Sequence, residues 1–205
     1  MDARSDPETD VETDSGEILI GCLRRAVRQA RHELLRAQAH AHGLGLAPAS
    51  WLLHRLAPGM LCLAHQVQVL CDGVRGTVAH LEGDRLHPAA GWVFNRGEQH
   101  LPPPFRDLGD ALAALDDAAA ALDRVSPPGP ARAGDGAVRP DRLPAMVVIA
   151  REGDERRYLR HVFLWDVVLP NTLFHATMIH ALLRHLGVPL GKDDFLGPLA
   201  APARR

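Results

Sequence analysis

Apolar positions recur along this chain with helical spacing in four stretches. From Glu17, the residues Leu19, Leu23, Val27, Ala30, Leu34 and Ala41 share one face, predicting a helix that ends near Gly43 and Gly45. Met60, Leu63, Val67, Leu70, Val74 and Val78 predict a second helix, entered at Pro58 and stopping around Gly83. A third runs over residues 105–125 through Leu108, Leu112, Leu115, Ala119 and Leu122, with Asp107 and Asp110 near its start. The last covers residues 161–186 and is ended by Gly187 and Pro189. Within it, Pro170 lacks a backbone donor and biases Leu169 away from helical geometry, which predicts a kink or a fresh start there. The period changes to two only once. The β-branched run over residues 145–150, the turn residues Glu152-Gly153-Asp154 and the return over Arg157-Tyr158-Leu159 predict a hairpin. Two strands alone are marginally stable, so the hairpin should lie against the helices.

The segments between these elements read as connectors. Residues 48–57 predict a short helical turn burying Trp51 and Leu52. Residues 84–104, with Trp92, Val93 and Phe94 as an apolar patch, and the proline- and glycine-rich residues 126–140 predict irregular chain. The fold class is therefore mainly all-α: an up-and-down four-helix bundle with a small β-hairpin before the last helix. An acidic segment over residues 1–15 predicts a disordered tail, residues 16–197 the bundle domain, and residues 198–205 a flexible tail.

Composition adjusts this picture only slightly. Of 205 residues, 46% are hydrophobic but only 4% aromatic, so the core must be built from Leu, Val and Ala, a mix suited to packed helices. A formal net charge of −2 points neither to nucleic acid nor to an anionic membrane. One basic stripe stands out, Arg24, Arg25, Arg28, Arg31 and Arg36 on the first helix, and a solvated helix face accounts for it. Cys22, Cys62 and Cys71 match no metal knuckle and read as small buried hydrophobes in a reducing compartment. With no leader-like start and no uninterrupted apolar run near membrane-spanning length, the expected location is cytoplasmic, with no membrane partner.

Several short motifs resemble an uncharacterised family, domain-of-unknown-function family nineteen-ninety-three of the DinB-like superfamily. They are Arg55-Leu56-Ala57-Pro58-Gly59-Met60 and Gln66-Val67-Gln68, then Leu169-Pro170-Asn171, Phe174-His175, Leu183-Arg184-His185 and Gly187-Val188, and finally Gly191-Lys192 with Asp194-Phe195-Leu196-Gly197. The similarity is clear over residues 38–82 and 158–197. It implies the same four-helix bundle and no established activity. The wider superfamily includes proposed metalloenzymes and thiol-dependent transferases, with three histidines inside the bundle: one on the second helix and a pair four apart on the last.

The histidine pattern here departs from that expectation. His175 has Ile179 four residues on and Asn171 four residues back, so the pair is missing. A divalent-metal set would have to be His65, Asp166 and His175, and Asp166 and His175 converge only if Pro170 breaks the helix. His175 lies on the inward stripe with Ile179, Leu182 and Leu186. It reads either as a satisfied core histidine or as a pocket group acting as base or ligand contact. Asn171 could orient a substrate or replace hydrogen bonds lost at the proline. Gln66 and Asp72 should link helices, His180 and Arg184 should face solvent, and residues 191–197 should dock on the bundle end. The functional expectation is a small-molecule-binding bundle, metal-dependent or His-based if an enzyme, with its pocket between the second and last helices and His175 and Asn171 at its centre. The alternative is a non-catalytic module that forms a homodimer through an apolar helix face. Nucleic-acid binding by the arginine stripe ranks last.

Overall fold

The computed structural model describes residues 7–81, 104–125, 146–151 and 154–197. The elements are α1 (Pro7–Gly43), a 3₁₀ turn (Pro48–Leu53), α2 (Leu63–Leu81), α3 (Leu108–Asp123), β1 (Met146–Arg151) and β2 (Asp154–Leu159). A final helical stretch follows, made of α4 (Arg160–Val162), a π-helical segment (Phe163–Val168) and α5 (Leu169–His185), and then the short α6 (Lys192–Leu196). This is the expected mainly α four-helix bundle with its hairpin before the last helix. The expected apolar patch at Trp92, Val93 and Phe94, the irregular residues 126–140 and the tail 198–205 fall outside the described residues.

Four extensive helix contacts close the bundle into a ring: α1 with α3, α3 with α2, α2 with α5, and α5 with α1. Helices α1 and α2 therefore lie diagonally, and so do α3 and α5. Diagonal partners cannot be joined by a tight turn, which is why long connections separate each of these pairs in the sequence. Leu23, Leu34, Leu63, Leu70, Leu115, Leu122 and Ile179 are fully buried at the centre. Burying an aliphatic side chain of this size contributes about 1.5–3 kcal/mol. The 3₁₀ turn buries Trp51 and Leu52 as the pattern predicts.

Two boundaries differ from expectation. Helix α1 begins at Pro7, so residues 7–15 are helical backbone where a disordered tail was expected. Proline costs nothing at the first helical position, and an acidic stretch suits the positive end of the helix dipole. Helix α2 starts at Leu63 instead of Pro58. A turn closed by the Met60 amide on the Ala57 carbonyl comes first, and the Leu63 amide bonds back to the His54 carbonyl. At the N-terminus of α3, Asp107 caps the helix by accepting from the Asp110 amide at 2.9 Å.

At Pro170 the last helix changes type: the π-helical Phe163–Val168 gives way to α5, whose first turn holds Pro170, so a fresh α-helical start lies where the proline predicts one, within a continuous helical stretch. Leu169 keeps helical angles, contrary to expectation, and its amide reaches back five residues to the Leu164 carbonyl. A proline cannot donate to the carbonyl four residues behind it, and one wide π turn absorbs that missing bond while the chain stays helical. The stretch Arg160–His185, 26 residues, is long and apolar enough on average to cross a membrane, although no uninterrupted run of that length is present. Its core-facing residues Ile179, Leu182 and Leu183 are buried where α5 packs on α1 and α2.

Candidate functional site

A cavity of about 530 Å³ opens between the N-terminal half of α2, the π turn with the start of α5, and one face of β2. Each wall follows from a local rule. In β2, Arg156 and Tyr158 are two residues apart, so they share a face. Tyr158 pairs across the hairpin with Val147, which is buried in the core, and its ring meets Phe163 at 5.8 Å, so that face is pressed onto the last helix. Asn171 and His175, one turn apart, line the adjacent wall, and Asp166, Pro170 and Phe174 form a neighbouring column at the same four-residue spacing. From α2 comes Val69, one turn beyond Gln66.

His175 is the central polar group. The residue is only 6% exposed, and its Nδ1 lies 2.6 Å from Gln66 Oε1 on α2. Gln66 Nε2 donates to the Leu61 carbonyl at 3.4 Å, which turns the amide oxygen toward the imidazole. An oxygen can only accept, so Nδ1 carries the proton and Nε2 carries the lone pair. Nε2 has no hydrogen-bond partner among the described residues and is reachable from the cavity that the ring lines. Burial lowers the ring's pKa from 6.5 to about 4, because a charged imidazolium there would lose its hydration. The result is a neutral, oriented imidazole offering one acceptor to a cavity. Gln66 links α2 to α5 as expected of an interfacial amide.

Asn171 does not replace backbone bonds lost at Pro170. Its Nδ2 is buried and makes no hydrogen bond in the described structure, because the π turn has already re-paired the backbone. The residue lines the cavity one turn from His175, with its amide nitrogen turned away from the open space.

The proposed metal set is not assembled. The π turn winds less per residue than an α turn and so brings Asp166 round to the cavity wall that His175 also lines. Nine residues still separate the two along the axis, roughly 13 Å at 1.5 Å per residue. His65 does not line this cavity. It is buried on the first turn of α2, its Nδ1 3.0 Å from Cys62 Sγ. No group of three His, Cys, Asp or Glu side chains among the described residues is placed to hold a metal ion. Among the described residues, the histidine triad that the resemblance implied therefore has no counterpart.

Two polar features were not legible as such. His180 faces inward instead of solvent: its Nδ1 sits 2.6 Å from the buried carboxylate of Glu33 on α1, and its ring stacks edge-on to Phe195 of α6. Desolvation raises the Glu33 pKa, with His180 opposing. The signal was present, since Glu33 falls between the buried Ala30 and Leu34. Arg156 and Tyr158 were missed as wall residues because nothing local in a strand tells which helix it will cover.

A family model described as a domain of unknown function, DUF1993, matches residues 17–196 of the chain. Among solved structures, the chain is similar to a DinB family member protein from Shewanella denitrificans, with 21% identity, a TM-score of 0.70, and coverage of 96% of this chain and 99% of that one. That likeness establishes the fold. No curated protein matches.

Proposed function

The chain belongs to the DUF1993 family, and on that premise we propose that it binds a small molecule in the cavity between α2 and α5, with a donor of the ligand on His175 Nε2. The observation that carries this reading is the bond from His175 Nδ1 to Gln66, which fixes the proton on the buried side and points the lone pair into the cavity. Asn171 lines the same wall, and a turn of its side chain would bring the unsatisfied, buried amide nitrogen to a ligand acceptor. A ligand that meets both must present a donor and an acceptor side by side, as a primary amide or a hydroxy-carbonyl compound does. Val69, Pro170 and Phe174 add apolar wall, so the remainder of the ligand is apolar or aromatic.

An imidazole with a pKa of about 4 stays neutral throughout the physiological range, which suits acceptance of a hydrogen bond better than proton abstraction near neutral pH. Binding is thus the primary reading. Base catalysis at Nε2 follows only for a ligand whose own charge raises the ring's proton affinity. Free Cys22, Cys62 and Cys71 support a reducing, cytoplasmic setting.

Ligand-observed NMR with a panel of neutral aromatic amides and hydroxy-amides, starting from benzamide and mandelamide, tests the reading. Members of the panel should bind at or below about 1 mM, and Val69→Trp, which fills the cavity, and His175→Phe should each abolish the signal. Absence of any binder, or binding that survives both substitutions, would rule the site out. A second reading, the homodimerising module, has one observation in its favour: Leu173 and Phe174 are 44% and 54% exposed side by side on α5. Sedimentation at rising concentration separates the two, since Phe174→Ser would shift the mass only if that face mediates self-association.

A further inference from the structure

The arginine stripe of α1 divides into two groups of different purpose. Arg24 donates to the Leu122 and Val125 carbonyls at the end of α3, Arg31 pairs with Asp116, and Arg36 pairs with Asp194 and bonds the Pro189 carbonyl. These three bridge to α3 and the C-terminal segment while staying partly solvated. Arg25 and Arg28 have neither an ion pair nor a hydrogen bond among the described residues, and both line a second cavity of about 440 Å³ between α1 and α6.

Three further residues define this cavity. Gln29 lines it and is only 9% exposed, yet its amide has no hydrogen-bond partner among the described residues. Its amide is therefore open to the cavity and free to bond a bound molecule. Gly197, at φ +70°, takes the left-handed conformation that favours glycine, and its backbone lies against the end of the Gln29 side chain at the edge of the cavity. On the opposite wall, Asp193 makes no side-chain bond or ion pair, whereas its neighbour Asp194 is fully engaged by His32, Arg36 and the Gly191 amide. Two uncommitted guanidinium groups and one uncommitted carboxylate thus line one hollow without neutralising each other.

We infer that the cavity between α1 and α6 is a binding site for a small zwitterion, whose acid group is held by Arg25 and Arg28 with the Gln29 amide and whose amine meets Asp193. A simple anion would leave Asp193 as a repulsive wall, and a simple cation would leave both arginines so. Only a molecule carrying both charges satisfies every uncommitted group there. The acid group can be a carboxylate or a phosphate, both of which match guanidinium forks. This site is separate from the His175 cavity and does not depend on it.

Calorimetric titration of the whole chain with 4-aminobutyrate and phosphoethanolamine, each against its amine-free counterpart, butyrate and ethyl phosphate, decides the matter and shows which acid is preferred. At least one amine-bearing probe should bind about tenfold tighter than its counterpart. That preference should vanish in Asp193→Asn, and binding should be lost in Arg28→Gln and in Gln29→Leu. His175→Phe should leave it unchanged, so failure of the other cavity would not be mistaken for failure of this one. Equal binding of the amine-free counterparts, binding that survives Arg25→Gln with Arg28→Gln, binding lost in His175→Phe, or no binding by any of the four probes would overturn the inference.

Discussion

The state of His175 is decided by two neighbours acting in the same sense. Burial opposes the imidazolium, and Gln66 Oε1 selects which nitrogen keeps the single remaining proton. The consequence for stability has a definite sign. The unfolded chain takes up a proton at this ring near pH 6.5, the folded chain only near pH 4, so the unfolded state binds more protons between those values and acid favours it. The ring's contribution is complete above pH 6.5 and is lost as the pH falls, by about 2 kcal/mol at pH 5. Denaturant unfolding at pH 7 and pH 5 should therefore show a larger acid loss for the native chain than for His175→Phe, by roughly that amount. Equal losses would contradict a buried neutral ring. Removing the partner has a separate cost. Gln66→Ala leaves the Nδ1 proton without an acceptor and should destabilise the fold by about 1–3 kcal/mol at pH 7.

At the scale of elements, the contact between α1 and α5 includes a polar lock as well as apolar packing. Glu33 is buried at 1% exposure and its carboxylate bonds His180, so truncating either partner strands the other. A double-mutant cycle on Glu33→Ala and His180→Ala should return a coupling of about 1–3 kcal/mol, read from denaturant unfolding. A coupling near zero would mean that the pair is incidental. The π turn is the other elemental feature of consequence, because it carries the chain past Pro170 without a break and brings Asp166 onto the cavity wall. The helical stripes and the hairpin could be read from periodicity because they depend on local spacing. The register of the last helix could not. A proline announces that one hydrogen bond is lost, but whether a kink, a break or a π turn absorbs it depends on packing from β2 and α2, which lie far away in sequence.

In the whole molecule, Asp194 is the main polar tie between the C-terminal segment and α1. It takes Arg36, His32 and the Gly191 amide together, and the Gly191 bond first, then His32 and Arg36, keep its carboxyl below the usual range. Asp194→Ala should release residues 191–197 to faster amide exchange while the protection of α2 and α3 stays unchanged, since α6 contacts the bundle chiefly through α1. Uniform loss of protection would show the segment to be part of the global core. Global arrangement was the least legible level. The sequence patterns identify four helices but not that α1 and α2 sit diagonally, and so could not reveal that Gln66 faces His175, that Glu33 faces His180, or that two of five arginines are left over beside α6. Each of those pairings joins residues about 100 or more positions apart.

The claim on which the functional reading rests is that His175 is a neutral imidazole with its proton on Nδ1 and an open Nε2. Long-range nitrogen–proton NMR of the histidine side chains at pH 7, with His175 assigned through His175→Phe, reads this directly. A protonated Nδ1 beside an unprotonated Nε2, unchanged down to about pH 5, is the expected result. A proton on Nε2, or a titration midpoint close to the ordinary histidine value of 6.5, would contradict it.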